Sequence, residues 1–90
     1  MLYMIIERSR DGNAIPVYRC FRDRGRLASA ELHDVACWVT TDLSRCYQVM
    51  ECDDRALLDA RMAQWSDLVD FEMETVMTSA DAVAAITLAL

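Results

Sequence analysis

Residues 35–76 read VACWVT, TDLS, RCYQVMEC, DDRALLDARMAQWSDL, VDFEMETV, which predicts strand, tight loop, strand, helix, strand. The two outer pieces and the piece after the loop are rich in β-branched and aromatic residues. In the helical piece Leu58, Met62, Trp65 and Val69 recur at 4-3-4 spacing, the mark of one buried helix face. Asp53 or Asp54 supplies an N-cap just before it. Upstream, residues 2–27 supply a further strand and helix. Leu2 to Arg8 is a β-rich run, and Asp11-Gly12-Asn13 is a turn signal. Pro16 suits a first helical turn, where a missing N–H costs nothing. Val17, Cys20, Phe21 and Arg24 then form a helical stripe, and Gly25 is the stop. The order is β-α-β-β-α-β. Thr78 and Asp81 resemble a capping box ahead of a short last helix carrying Val83, Ile86 and Leu90.

The hairpin can be set in register. With Thr41–Ser44 as a four-residue loop, Thr40 faces Arg45, Val39 faces Cys46, Trp38 faces Tyr47 and Cys37 faces Gln48. One face of the sheet then carries Ala36, Trp38, Tyr47, Val49 and Glu51. The other carries Val35, Cys37, Val39, Cys46, Met50 and Cys52. A one-residue slip would exchange the two sets. Both are substantially apolar, whereas a sheet wet on one side alternates apolar and polar cleanly. Helices cover one face, so the other needs its own cover.

Ninety residues suit one domain over residues 1–90 with a modest core. An apolar share of 54% beside 27% charged residues fits a folded, self-associating domain rather than a disordered one. The net charge of −6 argues against nucleic acid as a partner. All nine basic residues are Arg. The Arg19–Arg26 cluster reads as a solvated or acid-paired helix surface, or as an anion site. No run reaches the ~18 apolar residues of a membrane span. MLYMIIERSRD lacks a basic lead and a small-residue cleavage site, so it reads as a strand rather than a signal peptide. The expectation is a cytoplasmic protein with four reduced cysteines.

These blocks carry a resemblance. MLYMIIER, PVYRCFRDRGR, WVTTDLSRCYQVMECDDRALLDARMAQWSDLVDFE and the VMTSA ending are similar to a small uncharacterised bacterial domain family of unknown function. Thr75 stands where that family's last block has Pro. The family sits, by resemblance, in the ferredoxin-like, dimeric α/β-barrel superfamily. That implies an α+β fold: a four-stranded antiparallel sheet in the order 4-1-3-2, helices on one face, a short C-terminal helix and a homodimer. It assigns no catalytic residue. The wider superfamily holds monooxygenases, isomerases and proteins without known activity.

The remaining chemistry is weighed residue by residue. His33, the lone histidine, is a general-base candidate by its near-neutral pKa, or a solvent-facing strand-end residue. Glu7, Glu51, Glu72 and Glu74 lie on strands, where acids are depleted. One pointing into a closed cavity would serve as acid or base, with Glu51 joining His33 as the weak catalytic candidates; otherwise these are rim carboxylates. Cys20, Cys37, Cys46 and Cys52 lack C-x-x-C spacing and read as buried thiols, so no metal and no cofactor are expected. Trp65 is a core plug or a pocket wall, and its indole N–H needs an acceptor. Trp38, Tyr47, Trp65 and Glu7 are the candidate ligand-pocket residues. Tyr3, Ile5, Trp38, Tyr47 and Val49 are the candidate dimer face. Three functions stay open: a homodimeric small-molecule-binding or accessory protein, a cofactor-independent monooxygenase or isomerase, and a structural or interaction module.

Overall fold

A computed structural model describes residues 1–28 and 30–90. Strand β1 (Leu2–Ser9) passes through a short 3-10 turn into helix α1 (Ile15–Arg24). Strands β2 (His33–Val39) and β3 (Arg45–Glu51) follow, then helix α2 (Arg55–Trp65), strand β4 (Val69–Val76) and helix α3 (Ser79–Thr87). The strands form one antiparallel sheet in the order β2-β3-β1-β4. With the helices, this is the ferredoxin-like arrangement.

Local chemistry sets the boundaries. Asn13 Oδ1 accepts the Ile15 N–H at 3.1 Å, and Pro16 sits in the first turn of α1. Gly25 ends α1 with φ at 74°, a conformation open to glycine without Cβ strain. Asp54 caps α2 by accepting the Ala56 N–H at 2.9 Å. Thr78 caps α3 by accepting the Asp81 N–H at 3.1 Å. Helix α2 stops at Trp65, so Val69 opens β4 and does not extend the helical stripe as the spacing suggests.

The β2–β3 register matches the sequence reading at Val39–Cys46, Trp38–Tyr47 and Cys37–Gln48. Beyond Ala36–Val49 the ladder slips, and Asp34 pairs with Met50. Val35 is the extra residue of this irregularity, and it is 57% exposed rather than aligned with Cys37. The hairpin tip is held by Asp42, whose Oδ1 accepts from Thr40 Oγ1 (2.7 Å), Ser44 N (2.9 Å) and Ser44 Oγ (2.7 Å). These bonds favour the ionised carboxylate and pull its pKa down to about 2.

The core lies on the helix side of the sheet. Tyr3, Ile5, Met50 and Cys52 bury against Leu58 of α2 and Leu32 ahead of β2. This overturns one expectation: Tyr3 and Ile5 belong to the core and not to the open face. Side chains alternate along β1, so Leu2, Met4 and Ile6 point the other way. Tyr47 pairs with Ile6, and Val49 with Met4. The open face thus carries two apolar rows: Trp38–Tyr47–Ile6 and Ala36–Val49–Met4.

Candidate functional site

Helix α1 covers the sheet without burying any residue of its own. Between α1, the end of α2 and the sheet lies a cavity of about 320 Å³. Val17, Tyr18 and Phe21 of α1 form its roof. Glu7, Cys37, Cys46 and Gln48 come from the strands, and Arg61 and Trp65 from α2. Leu43, at the hairpin tip, also contributes. The volume stands at the lower end of small-molecule sites, which run from about 300 to 1,000 Å³.

A buried ion pair crosses this space. Arg61 Nη1 donates to Glu7 Oε1 at 2.8 Å, with side-chain exposures of 9% and 15%. Arg61 shares the buried side of α2 with Leu58 and Trp65, at spacings of three and four residues. Withdrawing two charges from water is costly unless each is paired and hydrogen-bonded. Here the satisfaction is incomplete. Arg61 Nε, a donor, and Gln48 Oε1, an acceptor, are buried without a protein partner. Orphaned groups of this kind call for an explanation such as a ligand or water.

Two of the four thiols, Cys37 and Cys46, line the same wall, and only Cys52 is buried as expected while Cys37 is exposed. Cys37 Sγ and Cys46 Sγ lie 3.3 Å apart as free cysteines. Burial first, then the Cys37 hydrogen bond and the Glu7 charge, push the Cys46 thiol far above its usual pKa. The shift disfavours the thiolate, which is the nucleophilic form. Burial likewise raises Cys52. The Tyr18 phenol is also raised, chiefly by burial and further by Cys46, Cys37 and Glu7. Tyr18 therefore offers a neutral hydroxyl to the cavity. Among the described residues no group of three or more His, Cys, Asp or Glu side chains is arranged to hold a metal.

The sequence candidates divide between the two faces. Glu7 and Trp65 line the cavity. Trp65 is 5% exposed, and its indole N–H donates to the Arg26 carbonyl at 2.9 Å. It is therefore both plug and wall. Trp38 and Tyr47 lie on the opposite face, because they pair with each other and with Ile6. They do not line this cavity. His33 pairs with Glu51 at an exposed end of the sheet, outside the cavity lining. Glu72 is a rim carboxylate that accepts from Arg8 at 2.7 Å. In the arginine cluster, Arg22 pairs with Asp23 and Arg26 with Asp34. Arg61, Gln48, Tyr18 and Phe21 were not among the sequence candidates. Arg61 had a signal: it is an arginine at a stripe position of an amphipathic helix.

Comparison with known proteins gives one assignment. The family described as Domain of unknown function (DUF3303) matches residues 1–90, and the chain belongs to it. No curated protein and no solved structure matches the chain. No helix among the described residues is long and apolar enough to cross a membrane.

Proposed function

We propose that this member of a family without an assigned function is a homodimeric small-molecule-binding domain. Its ligand sits in the cleft between the helices and the sheet. The observation that carries this reading is the pairing of an apolar-walled cavity with two orphaned polar atoms on residues that line it. Val17, Phe21, Leu43 and Trp65 supply apolar area, while Arg61 and Gln48 supply orientation. The buried Glu7–Arg61 pair holds Arg61 in place, so the site is built before a ligand arrives.

The dimer half of the proposal rests on the other face. Leu2, Met4, Ile6, Ala36, Trp38, Tyr47 and Val49 point away from the core, and Trp38 is 61% exposed. A contiguous apolar surface of this kind is a liability in a monomer. A second copy about a two-fold axis covers both surfaces with one contact.

Native mass spectrometry of freshly purified protein tests both halves. The expected spectrum is a dimer that keeps a small-molecule mass under gentle desolvation and loses it under activation. A monomer at micromolar concentration removes the dimer. The ligand half falls if no mass is retained and a ligand-observed NMR fragment screen finds no binder sensitive to Phe21→Arg.

A further inference from the structure

Helix α3 has no place in the fold of its own chain. Every residue from Met77 to Leu90 is exposed, including Val83 (62%) and Ile86 (56%). The hydrogen bonds described for α3 are internal to the segment or to its Thr78 cap. The molecule is accordingly long, at 49 × 28 × 17 Å, with a radius of gyration of 15.0 Å. A compact chain of this length would give about 12 Å. Yet α3 is nine residues long, and isolated helices below about 12–15 residues are marginal in water. Its helical form needs a surface to pack on.

We propose that α3 is an exchanged arm, packing against the edge strand β2 of a second copy of this chain. This rests on the homodimer proposed above. Area argues for it. Four strands about 4.8 Å apart, each about seven residues at ~3.4 Å, give a plane footprint of roughly 460 Å². A standard interface needs about 800 Å² per partner, and an obligate one about 1,000 Å² or more. A plane projection is smaller than the corrugated accessible area it represents, so the face approaches the standard size and leaves room for a further contact to reach the obligate one. Helix α3, about 13 Å long, adds an apolar edge through Val83 and Ile86, with Ala82 and Ala85 permitting close approach.

Topology directs the arm. The sheet runs β2-β3-β1-β4, so β4 and β2 are opposite edges. A two-fold axis parallel to the strands, lying between two facing sheets, sets β4 of one copy over β2 of the other. Only Met77 and Thr78 separate β4 from α3. The helix therefore emerges beside the partner's β2, whose stretch Val35–Trp38 includes Val35 and Trp38, 57% and 61% exposed. Charge disfavours a membrane as the occupant. The arm carries Asp81 and no basic residue, whereas helices lying on anionic membranes are rich in Lys and Arg.

The test uses full-length chains. Isotope-filtered NOE spectra of a 1:1 mixture of labelled and unlabelled protein should show contacts from the α3 methyls of one copy to the Trp38 indole of the other. Contacts confined within one copy overturn the exchange and leave the dimer. In sedimentation, Val83→Glu with Ile86→Glu should weaken the dimer at least ten-fold while the circular dichroism of the sheet is kept. An unchanged dimer constant overturns the arm alone, and a monomeric wild type overturns arm and dimer together. If the double variant fails to fold, the wild-type NOE pattern decides.

Discussion

The two faces of this sheet are built on different principles, although the same strands supply both. On the helix side, Ile5, Met50 and Leu58 are wholly buried around a core that runs into a cavity wall holding an ion pair. On the open side, Trp38, Tyr47, Ile6, Val49 and Met4 form an apolar patch, flanked at β4 by Glu72 beside Ile6 and Glu74 beside Met4. The first face is filled around Ile5 and Leu58 but open under α1, where Tyr18 and Phe21 stay exposed and two polar atoms lack protein partners. The second is incomplete as a surface. The proposed second copy packs on the open face, and the proposed ligand sits on the cavity face.

The sharpest way to break this contrast is at Arg61. Arg61→Ala leaves the Glu7 carboxylate buried without its partner, which costs about 3–5 kcal/mol. Urea unfolding should show that loss, and the double change Glu7→Leu with Arg61→Leu should recover most of it. If Arg61→Ala unfolds at the wild-type midpoint, the pair is not desolvated and the cavity face has been misread.

Trp38→Arg probes the other side. It places a charge in the proposed contact and should weaken self-association by about 2 kcal/mol or more, roughly 30-fold, as an interface anchor would. Sedimentation equilibrium measures it. An unchanged mass across the same concentrations would mean the open face has no partner copy.

A smaller effect refines the cavity side. Asp54→Ala removes the cap of α2 and should cost about 1 kcal/mol without altering association. Thermal melts at two protein concentrations separate the two effects. A shift that varies with concentration would tie α2 to the interface.

The smallest effect concerns pH. Asp42 has its carboxyl pKa depressed to about 2, against an ordinary value near 3.9. A depressed carboxylate adds stability that is fully present above about pH 4 and is lost as pH falls toward 2. Asp42→Asn should flatten that part of the profile. Carbon-13 NMR of the Asp42 carboxyl checks it directly, and a midpoint near 4 would mean the hairpin tip that positions Leu43 is not held this way.

Much of the architecture is legible in the chain because periodicity and punctuation are local. The alternation in VACWVT and RCYQVMEC, the capping residues Asp54 and Thr78, and the stops at Gly25 and the hairpin fix element type and order without reference to anything distant. The β2–β3 register follows for the same reason, since a four-residue loop leaves little freedom. The cavity is much less legible. Glu7 and Trp65 are sequence candidates, whereas Arg61, the partner of Glu7, and Gln48, which lines the same cavity, are not. An arginine in a helix stripe and a glutamine in a strand gain meaning only when α2 packs on the sheet, which sets Arg61 Nη1 2.8 Å from Glu7 Oε1 and places Gln48 of β3 in the same cavity.

The sequence alone therefore determined the β-α-β-β-α-β order, the hairpin register and the apolar character of both sheet faces, because these depend on residue periods over short spans. Tertiary structure alone decided the phase of β1, with Tyr3 and Ile5 inward and Met4 and Ile6 outward. It also decided the irregularity at Val35 and the meeting of Glu7 with Arg61. The physical reason is alternation: Leu2 to Ile6 are apolar at nearly every position, so the strand carries no polar marker of which side is in. Only its pairing with Met50 and Val49 across the sheet and its packing on Leu58 select a face.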